Sequence, residues 1–126
     1  MIDVGRTIAR SISSPTIVCL MGDLGAGKTT VAKGIISELT DLSPQEITSP
    51  TFQYVNVYQA DRVVHFDLWR LNDLDEFLEL GLDEYVFGRI SLIEWPDRVE
   101  GWLPEERLSV EIHVLCGQGR KIEITQ

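Results

Sequence analysis

Basic residues are scarce in this chain and widely scattered. Eleven Lys and Arg face twenty Asp and Glu, giving a formal net charge of −9. No stretch gathers Lys or Arg into the patch that nucleic-acid-binding surfaces normally show, so phosphate backbones are repelled on average. If the protein serves RNA chemistry, another molecule must hold the RNA. Long apolar runs are missing too. No window approaches the ~20 apolar residues of a membrane span, and residues 1–15 lack the apolar core of a secretion signal. The two cysteines, Cys19 and Cys116, have the spacing of neither a metal knuckle nor a disulfide framework. They read as free thiols in a reducing cytosol. Internal repeats and low-complexity tracts are absent, as is the guanine-reading pattern Asn-Lys-x-Asp. With 126 residues, the chain suffices for a single domain over 1–126, a sheet with covering helices and one core region.

What is present centres on Gly22-Asp23-Leu24-Gly25-Ala26-Gly27-Lys28-Thr29. This is a phosphate-binding loop pattern, a Gly followed four residues on by Gly-Lys-Thr. The apolar run Thr16–Met21 predicts a buried strand leading into it. Residues 29–39 predict a helix leading out, with Val31, Ile35 and Leu39 on one face. Glycines let backbone N–H groups turn inward around a phosphate, and the helix N-terminus adds unpaired donors and the positive end of a dipole. That dipole supplies only about 0.3–1 kcal/mol at an exposed site. The Lys28 ammonium and a Mg²⁺ held by Thr29 must therefore offset much of a triphosphate's charge.

Around this unit the pattern predicts an α/β domain. Residues 3–12 read as an amphipathic helix with Val4, Ile8 and Ile12 inward, ended by Ser13-Ser14-Pro15. Alternation over 52–58 and the run 62–68 predict a hairpin. Residues 73–87 carry six carboxylates and a short helix stopped at Gly81, read as a solvated acidic face with partner docking as the alternative. Residues 89–96 form another core strand, and 107–114 with 121–124 a terminal hairpin. The expected sheet is partly parallel with antiparallel additions, as in P-loop NTPases, with helices on both faces.

Few other residues offer chemistry. Glu94 follows four largely apolar or small residues at the expected carboxyl edge of the sheet, where a metal-holding carboxylate is needed beside a bound triphosphate. Asp67 also leaves a buried strand; it would hold a metal-bound water, orient the attacking water or anchor Thr51. Thr51 itself suits a switch that reaches the metal or γ-phosphate and lets go after hydrolysis, or is an ordinary strand-entry residue. His65 and His113 read as packing or surface residues rather than bases. Trp95 either covers the site or fills core. Arg120 sits on a Gly-rich turn, within reach of a nucleotide or simply on the surface.

Together, Gly22–Thr30, Ser49-Pro50-Thr51-Phe52, His65-Phe66-Asp67-Leu68-Trp69-Arg70 and Ile93-Glu94-Trp95-Pro96 closely resemble the TsaE family. That family is the bacterial ATPase of tRNA threonylcarbamoyladenosine biosynthesis. The likeness keeps order and spacing from about Asp3 to Ile124. It implies a P-loop fold binding ATP and Mg²⁺, weak intrinsic hydrolysis, and action with TsaB and TsaD on the adenosine beside the anticodon. The protein would be cytoplasmic and would meet tRNA only through those partners. By motif, Asp23, Leu24, Gly25, Ala26, Gly27, Lys28, Thr29 and Thr30 would bind phosphates, and Thr29 and Glu94 would hold Mg²⁺. Lys28, Thr51, Asp67 and Glu94 would serve hydrolysis. Trp95 and Arg120 would lie at the nucleotide. Two departures stand out. The chain opens almost directly on the first helix, without the usual preceding segment, and Trp69 replaces the usual Tyr. The alternative from the residues alone is a small-molecule kinase, which also uses a P-loop and Mg²⁺.

Overall fold

The structure is a computed structural model that describes residues 1–50, 53–117 and 119–126. Among the described residues, six strands form one sheet in the order β2-β3-β4-β1-β5-β6. These are β1 (Thr16–Met21), β2 (Val55–Tyr58), β3 (Val63–Asp67), β4 (Ile90–Glu94), β5 (Leu108–Val114) and β6 (Arg120–Thr125). The four central strands, β3-β4-β1-β5, run parallel. Each edge is an antiparallel hairpin, β2 on β3 and β6 on β5. The partly parallel sheet expected from the sequence is thus present.

Strand alternation divides the core in two. Val18, Leu20, Val63, Leu92 and Val110 pack on one face with α1 (Ile2–Ser11) and α2 (Lys28–Thr40). Ile17, Cys19, Val64, Phe66 and Ile93 pack on the other with Phe77 of α3 (Leu74–Glu79) and with Leu82, Val86 and Val99 from single-turn 3₁₀ segments. Burial pushes the Cys19 thiol up to about 12, which makes it inert at neutral pH. Cys116 is exposed and free.

Helices α1 and α2 meet at two glycines. A Cβ on Gly5 would lie 2.2 Å from the Val31 carbonyl oxygen, and one on Gly34 would lie 2.2 Å from that of Ile2. Only glycine permits so close a crossing. Helix α3 begins at Asp73, whose carboxylate accepts the Glu76 N–H at 2.9 Å, and Gly81 follows it at φ 72°. The β2 strand starts at Val55, three residues later than the alternation suggested. Tyr54 sits at a left-handed φ of 65°, and Phe52 lies outside the described residues. No helix among the described residues is long and apolar enough to cross a membrane.

Candidate active site at the carboxyl edge of the sheet

The parallel strands β1, β3 and β4 all end at one edge, so their last residues converge there. Strand β1 delivers the chain into the glycine loop. At Gly22, φ is 153° and a Cβ would meet the Ile112 carbonyl oxygen at 2.6 Å; a side chain there would push the loop off the sheet. The loop then turns into α2 at Gly27, which caps the helix with no side-chain acceptor. The first N–H groups of α2 have no intrahelical partner by geometry, which leaves them for a ligand.

Lys28 folds back over this loop, only 4% exposed. Its Nζ donates to the carbonyl oxygens of Gly22 at 2.6 Å and Asp23 at 2.9 Å. It also lies 4.1 Å from the centroid of the Trp95 ring. Burial lowers its pKa from the usual 10.5, against the opposing pull of Glu94, Asp67, Asp23 and Asp97. The lysine is therefore held by acceptors that an anionic ligand can replace.

Thr29, the next residue, hydrogen-bonds across the loop to the end of β4. Its Oγ1 donates toward both oxygens of Glu94, at 2.9 and 3.1 Å. Glu94 is 2% exposed. In the β3–β4 register Asp67 pairs with Glu94, so two carboxylates stand side by side at the mouth of the loop. Burial raises the Asp67 pKa above the usual 3.8, and the Glu94 charge raises it further; the Trp69 N–H, His65 and Lys28 pull it back. The Asp67 Oδ1 accepts that Trp69 N–H at 3.1 Å. A hydroxyl and carboxylates are hard oxygen donors, the set that suits Mg²⁺ rather than a soft metal. The residues present therefore fit the ion.

A pocket of about 260 Å³ opens over these groups. Among its lining residues are Leu24, Gly25, Gly27, Lys28, Thr29, Thr30, Asp67, Glu94 and Trp95. Trp69 lines it as well, its ring 4.5 Å from that of Trp95. Trp95 takes a left-handed conformation (φ 61°, ψ 54°), which turns its ring back over Lys28. Of the other candidate residues, Asp23 contributes its carbonyl to Lys28, and Ala26 is buried. Arg120 is not among the pocket-lining residues. Its Nε donates to the Ala26 carbonyl oxygen at 3.1 Å, so it grips the glycine loop from the terminal hairpin. Thr51 lies outside the described residues.

Two site residues escaped the sequence reading. The sequence marks Trp69 only as the aromatic in place of the family's usual Tyr and assigns it no place in the site. His65 reads from the sequence as a packing or surface residue rather than a base, yet its Nε2 lies 2.6 Å from Glu94 Oε2. The period of two along β3 puts His65 on the same face as Asp67, which is the signal that could have found it.

Comparison with known proteins agrees over most of the chain. The family model for threonylcarbamoyl adenosine biosynthesis protein TsaE matches residues 1–122. A protein of Treponema pallidum named tRNA threonylcarbamoyladenosine biosynthesis protein TsaE is 36% identical over 122 residues, covering 95% of this chain and 89% of that one. The Bacillus subtilis protein of the same name is 40% identical over 113 residues, covering 86% and 68%. The crystal structure of Bacillus subtilis YdiB superposes with a TM-score of 0.73 at 31% identity, covering 96% of this chain and 74% of that one.

Proposed function

We propose, from the premise that this chain belongs to the TsaE family, that it binds and hydrolyses Mg²⁺–ATP in tRNA threonylcarbamoyladenosine biosynthesis. The observation that carries this reading is the Thr29–Glu94 contact at 2.9 Å, made where the glycine loop, the buried lysine and two carboxylates converge. On this reading Lys28 exchanges the Gly22 and Asp23 carbonyls for phosphate oxygens, and the first-turn N–H groups of α2 hold the rest of the phosphate chain. Thr29 and Glu94 would hold Mg²⁺, which would supply charge screening for the phosphates. Asp67, whose pKa burial and the charge of Glu94 raise, would orient the attacking water. Trp95 and Trp69 shield one side of the pocket.

The same reading assigns the protein to the cytoplasm and to a complex with TsaB and TsaD, which hold the tRNA. Its acidic charge of −9 supports that division of labour, since such a surface is poorly suited to contacting RNA itself. ATP turnover, measured for the protein alone and with TsaB–TsaD, tests the proposal. Slow turnover that changes on adding partners, and a Lys28→Ala variant that loses at least about tenfold in turnover together with tRNA modification, are the expected results. Unchanged turnover with partners and full modification by Lys28→Ala would overturn it.

A further inference from the structure

We propose that His65 is a positioning residue for Glu94, one that fixes the carboxylate in the orientation a metal-bound nucleotide requires. His65 is 0% exposed, in the middle of β3. Across the sheet it pairs with Leu92 of β4 and Asn56 of β2. Its ring therefore sits two residue pairs below the two carboxylates, on the same face of the sheet, and reaches up to Glu94 from beneath. The 2.6 Å separation is at the short end for an N–H···O bond, and the fully buried His65 ring has no exposed surface through which solvent could replace the contact.

The other ring nitrogen, Nδ1, has no hydrogen-bond partner among the described residues. A proton there would be a buried donor without an acceptor, whereas a bare lone pair is tolerated more easily. That assigns the ring proton to Nε2, so His65 donates and Glu94 Oε2 accepts. Thr29 makes its shorter bond to the other oxygen, Oε1. Thr29 spans both oxygens of the carboxylate while His65 holds Oε2 alone, and the two partners differ in permanence. The Thr29 hydroxyl must turn when it and Glu94 both face an ion; His65 need not move. Without His65, the carboxylate loses the donor that meets it from its buried side.

This inference rests on the reading of Glu94 as a Mg²⁺–nucleotide residue, and calorimetry separates the two. Affinity for a non-hydrolysable ATP analogue is measured with Mg²⁺ and with EDTA, for wild type, His65→Gln and His65→Leu. A donor that only orients a metal-holding group should alter metal affinity by about 10–100-fold. His65→Leu is therefore expected to lose at least about tenfold of the gain that Mg²⁺ brings, with its affinity in EDTA within about twofold of wild type. His65→Gln, whose amide can donate from a similar position, should keep most of that gain. Should His65→Leu fail to fold, His65→Asn takes its place, since its shorter amide should lose the gain that Gln keeps. A Mg²⁺ gain retained by the variant lacking the donor, or affinities falling equally with and without Mg²⁺, overturns the positioning role. A wild-type protein that binds the analogue no better with Mg²⁺ overturns instead the metal reading on which it rests.

Discussion

Asp67 is held under two unfavourable influences, burial and the charge of Glu94 beside it. Its pKa in the folded protein lies above the ordinary 3.8, so the ionised carboxylate costs more in the folded chain than in the unfolded one. The stability this group contributes is fully present below its unfolded pKa and is lost as pH rises through the raised folded one. Asp67→Asn removes that loss, and its Oδ1 can still accept the Trp69 N–H. Thermal melts in EDTA should therefore show the variant with a higher Tm than wild type at neutral pH, the gap closing as pH falls toward the ordinary carboxylate range. The same variant should lose on the order of 10²-fold in ATP turnover if Asp67 orients the attacking water. Higher stability with lower activity is the signature of a group strained for function. How far these residues were legible in the sequence varies with their dependence on local pattern. Lys28 and Thr29 follow from spacing alone, because loop and helix are consecutive. Glu94 and Asp67 follow from the rule that open parallel sheets gather ligands at their carboxyl edge. The contact of His65 with Glu94 does not, since it depends on the register between two strands separated by α3 and its 3₁₀ turn.

Among the elements, the α1–α2 crossing makes the sharpest demand on sequence. Replacing an exposed helical Gly by Ala usually gains about 1 kcal/mol. At Gly34 the added methyl would press on the Ile2 carbonyl oxygen, and at Gly5 on that of Val31. Neither obstacle is a side chain that can swing aside. Gly34→Ala should therefore destabilise the protein by about 1–3 kcal/mol, read from the midpoint and slope of urea unfolding. A variant more stable than wild type would mean that the helices separate at little cost. The periodicity of Val4 and Ile8, and of Val31 and Ile35, revealed both helices and their inward faces. It did not reveal that they touch backbone to backbone, because the same glycines in an unpacked helix would look like mere weak points. The hairpin of β2 and β3 was legible through alternation, except at Tyr54, where the left-handed backbone ends the strand for reasons no propensity records.

On the scale of the whole molecule, charge and shape set the terms of association. A net charge of −9 means that added salt should raise Tm modestly by screening self-repulsion. It also means that labelled tRNA, followed by anisotropy at low salt, should show no saturable binding to this protein alone; binding that weakens steeply with salt would reveal a basic contact surface absent from the sequence pattern. Both edges of the sheet are antiparallel hairpins, and the one at the carboxyl end reaches through Arg120 to the glycine loop. Nearer the centre, the Lys28 ammonium bonded to two carbonyls of its own loop gives the site a threshold. A ligand enters by substitution, displacing two internal acceptors at once rather than filling a void. Groups that offer a single weak acceptor leave the lysine where it is. On the ATP reading, the phosphate chain must offer acceptors strong enough to replace both carbonyls before the lysine lets go, so occupancy and the release of Lys28 are a single event.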